Sequence, residues 1–357
     1  MLDIKRISLN PGKRVIVISD IHANLQLFKK LLDKVNYQLD DYLFINGDLC
    51  EKGDNSLEVV GFVRSLQQSS SNVFIVKGNC DVVHRYVFHE SEGIIPYMKS
   101  RKSILNEMLV QNNKCVEEFN SVKHLSAYYK THFQDIIDWL EALPVAYETD
   151  DFIILHAGID PHTDWKQTDE KTALYTASFL DKSHQAGKPV IVGHWPVINY
   201  RATDISSHNP LVDLEKNIIA IDGGNQLKQD GQLNALIIQD GTYSYTYVDS
   251  LDRYIIIENE KSDSLSRIGS VTYPNYELKI MKRGEFFTQC QNVSLGTKQW
   301  IKNEYLIEKN DAVLCKTDVS TTLLSVKRGE KVWVVDDTCE GYILVKNENG
   351  EIGWIER

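Results

Sequence analysis

Six side chains of the kinds that bind divalent cations stand within a few residues of the ends of apolar, β-forming runs. They are Asp20, His22, Asp48, Asn79, His156 and His194. They supply hard oxygen and borderline nitrogen ligands, which suit Mn, Fe, Zn or Co, and they include no thiolate of the kind that structural zinc sites use. Two cations roughly 3.5 to 4 Å apart can hold a phosphoryl group and deprotonate a bridging water. These residues therefore predict hydrolysis of a phosphate ester by a metal-bridging hydroxide.

Asp48 is the residue that we expect to bridge the two cations. Asp20 and His22 are separated by one residue, so in an extended segment they lie on the same side and complete the first site. The second site is completed by Asn79, His156 and His194. The predicted cofactor is a pair of divalent ions, with Mn favoured and Fe, Zn or Co also fitting. The alternative for Asp48 and Asn79 is a simple turn, because each follows a glycine.

The elements that must carry these residues alternate between strands and helices. After a strand at Val15–Ile18, apolar residues at helical spacing predict a helix that Asn24 caps. The further strands are predicted at Tyr42 to Ile45, Val73 to Val76, Phe152 to Leu155, Val190 to Val192 and Ile218 to Ile221. This alternation predicts parallel pairing, and two later runs, 235–238 and 243–248, are typical of antiparallel closing strands. Because α/β sheets bind ligands beyond the carboxyl ends of their strands, the six side chains should converge.

Two segments depart from this rhythm. Residues 84 to about 143 are polar and helical, and they predict a cap or insertion beside the sheet, with Phe133, Ile136, Ile137 and Leu140 on its clearest apolar stripe. Asp222 ends a strand like the predicted ligands, but the two glycines that follow it favour a turn with no further task.

Length, charge and cysteine usage limit the class of protein. The 357 residues are too many for one ordinary core, so two or more domains are expected. A net charge of −11 argues against extended nucleic-acid binding. The six cysteines form no C-x-x-C pair, and neither a signal peptide nor a membrane-spanning run is present. We expect a cytoplasmic protein with reduced thiols and no membrane contact; a disulfide between the late cysteines is the alternative.

Five short motifs carry a family resemblance. They are D-x-H at 20–22, G-D-x-x-x-[KR]-G at 47–53, G-N-x-[DE] at 78–81, H-[AG]-G-x-x-P at 156–161 and G-H-x-P at 193–196. In this order they resemble the calcineurin-like metallophosphoesterases. The segment 138–148, which precedes the fourth motif, resembles the phosphoprotein phosphatase branch, which includes the symmetrical diadenosine tetraphosphatases. The resemblance covers roughly residues 14–250. It implies an α/β fold, a four-layer α/β/β/α sandwich, with the same two metal sites.

The resemblance also implies roles for residues around the metals, with three departures. The implied catalytic residues are Asp48, Asp81 and Cys80, and the implied substrate-binding residues are Lys52, Asn79 and Arg201. Cys80 replaces the histidine of the phosphatases and resembles a phosphodiester-cleaving branch that has G-N-C-D. Lys52 replaces an arginine. It would therefore bind phosphate as a point charge and not through the two parallel hydrogen bonds that a guanidinium group provides. Related enzymes have an arginine shortly after the position of Tyr175, and this chain has none there. Arg85, Arg101 and Arg201 are the candidates to replace it.

Beyond residue 252 the chain changes character. Charged and serine-rich sequence at 252–270 predicts a linker, so we expect a catalytic domain at 1–252 and a β-rich region at 253–357. K-R-G-E followed by W-I occurs twice, at 282–301 and 327–355, which indicates a degenerate duplication. The later copy resembles a bacterial Src-homology-3-like barrel with a hairpin turn at Asn349 and Gly350. Such modules bind peptides or wall polymers; the alternatives are docking on the chain's own catalytic domain and a dimer.

The predicted function is that of a dinuclear metal-dependent phosphatase that hydrolyses phosphomonoesters on proteins or small molecules. The enzymatic alternative is a phosphodiesterase or dinucleoside polyphosphatase, because of Cys80. The alternative from another class is a non-catalytic metal-binding scaffold. The predicted partners are accordingly a phosphorylated protein, small molecule or nucleotide, and a peptide for the C-terminal module.

Overall fold

The chain divides into two compact units. The structure is a computed structural model that describes residues 2–262, 267–309 and 312–357. The first unit comprises the chain up to Trp195 with Pro210–Leu227 and Gln232–Val248, and the remaining segments form the second. The domain boundary at residue 252 stays a prediction. Positions 263–266 of the predicted linker lie outside the described residues.

Two sheets form the strand framework of the first unit. Its strands are β1 (Ile4–Arg6), β2 (Val15–Ile18), β3 (Tyr42–Asn46), β4 (Val73–Val76), β5 (Ala146–Glu148), β6 (Ile153–Leu155), β7 (Val190–Val192), β8 (Leu211–Asp213), β9 (Ile218–Ala220), β10 (Gln232–Gln239) and β11 (Thr242–Asp249). One sheet has the order β11-β10-β2-β3-β4 and the other the order β1-β5-β6-β7-β9-β8. The predicted parallel pairing is confirmed within β2, β3 and β4 and within β6, β7 and β9. The closing strand β10 is antiparallel to β2, as predicted.

Strand β2 is buried on both faces, which explains its unbroken apolar sequence. Val15 and Val17 belong to the core between the two sheets, together with Phe44 and Ile154. Ile16 and Ile18 point the other way, into a core shared with the helices. Two-residue periodicity thus divides four consecutive apolar residues between two cores.

The described part of the first unit contains eight α-helices. They are α1 (Leu25–Lys34), α2 (Ser56–Ser69), α3 (His84–Phe88), α4 (Ile94–Ser100), α5 (Ile104–Gln111), α6 (Val122–His132), α7 (Gln134–Glu141) and α8 (Glu170–Tyr175). The side chain of Asn24 caps α1 by accepting the N–H of Leu27 at 3.1 Å, as predicted. Helices α3 to α7 lie in the segment that was predicted to be helical, and Ile137 and Leu140 of its apolar stripe are buried whereas Ile136 is half-buried. The role of this segment as a cap or insertion stays a prediction. The predicted sandwich fold is confirmed, with the 3₁₀ turn Phe179–Asp181 packed against β9.

In the described residues of the second unit, the regular elements are β-strands and short 3₁₀ turns. Its strands are β12 (Tyr254–Ile256), β13 (Ser270–Val271), β14 (Glu277–Lys282), β15 (Phe287–Asn292), β16 (Lys298–Lys302), β17 (Leu306–Lys309), β18 (Ala312–Cys315), β19 (Val319–Ser320), β20 (Lys331–Asp336), β21 (Tyr342–Asn347) and β22 (Ile352–Glu356). They form sheets of order β12-β20-β21-β22, β13-β19 and β16-β15-β14-β18-β17. Trp354 lies fully buried in the core and donates to the carbonyl of Ser320 at 2.8 Å. The all-β region is confirmed; its likeness to a Src-homology-3 barrel stays a prediction.

In the described residues, none of the helices is both long and apolar enough to traverse a bilayer.

Candidate metal centre

The turn after β2 places the first two candidate ligands. Asp20 and His22 both adopt positive φ, 57° and 47°, a conformation that non-glycine residues avoid because it costs roughly 1–2 kcal/mol each. The turn is held against the loop after β3, because the N–H of Asp20 donates to Gly47 O at 3.2 Å and that of His22 to Asp48 O at 2.9 Å. Backbone strain at a buried polar turn is typical of functional sites.

The loops after β3 and β4 are joined by two buried carboxylates. Asp48 Oδ1 accepts the N–H of Cys80 at 2.8 Å. Asp81 Oδ1 accepts the N–H of Leu49 at 2.8 Å, and its Oδ2 accepts that of Gly78 at 2.9 Å. Asp81 therefore fixes the distance between the two loops, and these contacts are those of a positioning residue. Its predicted catalytic role stays a prediction.

The candidate ligands approach one another closely. His22 Nε2 lies 3.8 Å from Asp20 Oδ1 and 3.8 Å from Asp48 Oδ2. His156 Nε2 lies 3.3 Å from Asp48 Oδ1 and 3.0 Å from Asn79 Oδ1. Side chains that follow β2, β3 and β4 in one sheet thus meet a histidine that follows β6 in the other.

His194 joins the same group from the loop after β7. Its N–H donates to both carboxylate oxygens of Asp20, at 3.3 and 3.1 Å. Its imidazole centroid lies 5.1 Å from that of His156. Like Asp20 and His22, it adopts a positive φ, 64°. The structure therefore brings together all six side chains that the sequence predicted to converge.

Asp48 is shared by two groups of candidate ligand atoms. Ligand atoms of Asp48, His156 and His194 lie within 4.8 Å of one another, and so do those of His22, Asp48 and Cys80. His22 Nε2 is buried and has no hydrogen-bond partner in the described residues. An unsatisfied imidazole nitrogen facing two carboxylates fits a cation that replaces the missing partner. The residues present thus fit a dinuclear centre with Asp48 between its two halves.

The carboxylates of this group have opposed pKa shifts. Burial raises the pKa of Asp20 well above its ordinary value, and the negative charge of Asp222 raises it further. Burial by itself would also raise the pKa of Asp48, but the imidazoles of His156 and His22 lower it below its ordinary range. The positive charge of the imidazoles therefore outweighs burial at Asp48 but not at Asp20.

In the imidazoles, too, burial and the neighbouring charges act together on the pKa. Burial by itself would lower the pKa of His156, but the carboxylates of Asp48 and Asp20 raise it to about 10. Burial and the neighbouring His156 lower the pKa of His194 to about 4. A proton on His156 thus partly neutralises the acidic cluster, which is the task that a divalent cation would perform more completely.

Two glycines permit the close approach of the ligand loops. A Cβ at Gly78 would overlap the backbone nitrogen and Oδ1 of Asp48. A Cβ at Gly193 would overlap Ser19 Oγ and Asp20 Oδ2. The glycines of G-N-x-[DE] and G-H-x-P are therefore needed for packing, because any side chain there would displace a candidate ligand.

The remaining predicted residues are placed as follows. Lys52 is half-buried and makes no ion pair in the described part of the chain, so its ammonium group is available to an anion. Burial and the charge of Asp48 raise the pKa of the Cys80 thiol, which keeps it neutral. Arg201 belongs to the second unit, where its guanidinium donates to Asn209 O at 3.4 Å. The substrate contact that the resemblance implies for Arg201 stays a prediction.

One residue predicted only to shape a turn lies next to the candidate ligands. Asp222 does form the predicted turn, with its Oδ1 accepting the N–H of Gly224 at 2.7 Å. It is also fully buried and close enough to Asp20 for its charge to act on that carboxylate. Asn225 in the same segment donates to Ile21 O at 2.7 Å. The signal was present in the sequence, because Asp222 ends a buried strand just as Asp48 does.

Comparison with known proteins gives matches over the same part of the chain. The family described as calcineurin-like phosphoesterase matches residues 13–237. Two similar curated proteins are named symmetrical bis(5'-nucleosyl)-tetraphosphatase. The one from Vibrio campbellii is 29% identical over 146 residues, 41% of this chain and 44% of that protein. The one from Hamiltonella defensa is 30% identical over 185 residues, 47% of this chain and 55% of that protein.

The chain thus spans about half the length of these curated relatives. Among solved structures, a protein serine/threonine phosphatase from Saccharomyces cerevisiae is similar to this chain, with a TM-score of 0.46 and 12% identity. That likeness covers 71% of this chain and 85% of the yeast protein.

Proposed function

This chain belongs to the calcineurin-like phosphoesterase family, and on that premise we propose that it is a metal-dependent phosphoric ester hydrolase. The family match confirms the resemblance that the five motifs carry. The observation that supports the activity best is the position of Asp48, whose carboxylate belongs to both groups of candidate ligand atoms. The proposed first site consists of Asp20, His22 and Asp48, and the proposed second site consists of Asp48, Asn79, His156 and His194.

The chemistry follows from the cations and the residues around them. When bound, two divalent cations supply the positive charge that holds phosphate oxygens and makes a water nucleophilic. Lys52 orients the phosphate as a point charge, and Asn79 can donate its amide N–H groups to it. The neutral thiol of Cys80 is a weak donor near the leaving group, and Asp81 acts by positioning Asp48. A substrate contact of Arg201 is also part of the proposal, and it rests on the sequence alone.

Within this activity, the proposed substrates are phosphomonoesters on proteins or small molecules. The G-H-x-P motif of the phosphatase branch supports them. A second candidate is dinucleoside polyphosphate hydrolysis, which the names of the curated relatives favour. We also propose a cytoplasmic location and a peptide partner for the C-terminal module, both from the sequence.

Metal content and turnover test the proposal together. We expect the purified protein to bind two divalent cations per chain, and the Mn-loaded protein to hydrolyse a phosphomonoester, a phosphodiester or a diadenosine polyphosphate. His22→Ala should lose one of the two cations and most of the turnover. His162→Ala removes an exposed imidazole and is the matched control, which should keep both. Tight metal binding with no turnover on any substrate would instead favour the scaffold.

A further inference from the structure

A cavity of about 500 Å³ opens in the first unit beside the proposed phosphate contacts. Lys52, Asn79 and Cys80 line one side of it. Its volume falls within the roughly 300–1,000 Å³ that ligand pockets usually occupy, so it has room for more than a phosphate group. The part of a substrate that lies beyond the phosphate would therefore enter this cavity.

The opposite side of the cavity is aromatic. Tyr86 on α3, Tyr97 on α4 and Tyr175 at the end of α8 line it, together with the buried apolar side chains of Val83 and Ile94. Tyr86 and Tyr175 are 48% and 40% exposed, so neither ring is used up in the core. Two consecutive helices, α3 and α4, and the distant helix α8 thus present their tyrosines to one space. Amphipathic rings of this kind provide stacking area at low entropic cost.

Hydrogen bonds hold these rings in place. The Tyr97 hydroxyl donates to the carboxylate of Glu51, which also accepts from Ser103 Oγ at 2.8 Å and from Ile104 N at 2.9 Å. Burial and a side-chain hydrogen bond with Tyr86 raise the pKa of Tyr175 above its ordinary range. The aromatic wall is therefore ordered before any ligand arrives, which lowers the entropic cost of binding. Since Glu51 precedes Lys52 in the chain, the hydrogen bond from Tyr97 also connects the aromatic wall to the loop that carries Lys52.

Resting on the proposed function, we propose that this cavity is a subsite for the nucleobase of a nucleoside phosphate, with its ring held against Tyr86 and Tyr175. The base then lies on the side of the cavity opposite Lys52 and Asn79, which contact the phosphate. A nucleoside fits better than a phosphotyrosine side chain, because one six-membered ring would leave most of the cavity empty. The tyrosine hydroxyls and the lining residue Ser91 offer hydrogen bonds to the edge of a base.

The test uses two substrates that differ in the base alone, AMP and ribose 5-phosphate. The Mn-loaded full chain should turn over AMP with a kcat/KM about 5- to 100-fold higher, the range expected for stacking of one base. The double variant Tyr86→Leu/Tyr175→Leu should abolish this ratio through KM for AMP and leave ribose 5-phosphate unchanged. Tyr245→Leu changes an exposed tyrosine on β11 and is the matched control. Tyr97 is left intact because it is bonded to Glu51.

Three results would overturn the subsite. They are equal kcat/KM for AMP and ribose 5-phosphate in the wild type, an unchanged ratio in the double variant, and a preference for O-phosphotyrosine over AMP that the double variant removes.

Binding of both compounds by calorimetry separates this proposal from the proposed function. Tighter binding of AMP that depends on the two tyrosines, without turnover of AMP, a phosphodiester or a diadenosine polyphosphate, would support the subsite and contradict the proposed enzymatic activity. Turnover without any effect of the base would do the reverse.

Discussion

Buried charges are compensated differently in the second unit and in the candidate metal centre of the first unit. In the second unit each buried lysine has a carboxylate beside it: Lys302 Nζ lies 2.8 Å from Glu304 Oε2, and Lys346 Nζ lies 2.9 Å from Asp249 Oδ2. In the first unit, burial raises the pKa of Asp20 and two further acids lie near it. Paired opposite charges are a structural solution to burial, whereas clustered like charges require a further ion. The difference indicates which buried charges serve the fold and which serve chemistry.

The sharpest test of this difference is Asp48→Asn. It should lower turnover by at least about 1,000-fold, because the shared ligand loses its charge. The chain should remain folded, since the amide oxygen can still accept the N–H of Cys80. Steady-state hydrolysis by the Mn-loaded protein and circular dichroism measure the two effects. The matched control is Asp230→Asn in the second unit, which should retain full activity; a fully active Asp48→Asn would remove the bridging role.

The complementary change in the second unit is Asp249→Ala. It should lower the free energy of unfolding by about 3 kcal/mol, because Lys346, 1% exposed, loses its carboxylate. Turnover of the folded fraction should stay unchanged. Urea unfolding gives the stability, and the double variant Asp249→Leu/Lys346→Met should recover most of it. A loss of kcat at unchanged stability would show that this pair does more than support the fold.

Removal of metal should destabilise the protein as well as inactivate it. A ligand that binds the folded state alone stabilises it by about 2.7 kcal/mol at a free concentration of 100 Kd. Adding Mn²⁺ to chelator-treated protein should therefore raise the unfolding temperature in calorimetry. The same addition to Asp48→Asn should give a much smaller rise. Equal shifts in both proteins would place the bound ion elsewhere.

A smaller effect is expected in acid, from the pair of His208 and Asp230. Burial opposes ionisation of Asp230, but the imidazole of His208, 3.0 Å away, lowers its pKa from 3.8 to about 2. A pKa depressed in the folded state contributes stability above pH 3.8 that is lost as the pH falls through 2. The contribution is about 2 kcal/mol. Urea midpoints between pH 5 and 2 should fall less steeply for Asp230→Asn, and an identical slope would contradict the assignment.

Much of the fold could be predicted because its signals are local. The strands at Val73–Val76 and Val190–Val192 end where their apolar runs end, and the cap at Asn24 needs only neighbours in the chain. Asp20 and Asp48 could be selected as candidates for the same reason, since each lies two residues after the end of a buried strand.

The parts that could not be predicted depend on distant contacts. Asp222 follows β9 in the other sheet. Its place after a buried strand was visible in the sequence, but its closeness to Asp20 depends on how the two sheets pack together. The bond between Tyr97 and Glu51 likewise joins a helix of the insertion to a loop of the sheet. Arg201 has a suitable side chain for phosphate, and its spacing gave no sign that it belongs to the second unit.

The tight contacts at Gly78 and Gly193 affect how a mutational map of this protein should be read. A screen that scores loss of activity will register these positions as essential, although neither has a side chain that could take part in a reaction. Substitution there would act by pushing Asp48 or Asp20 out of place, so the damage would resemble that of replacing the acids themselves. Designers who transplant this site to another scaffold must therefore copy the backbone spacing along with the six polar side chains.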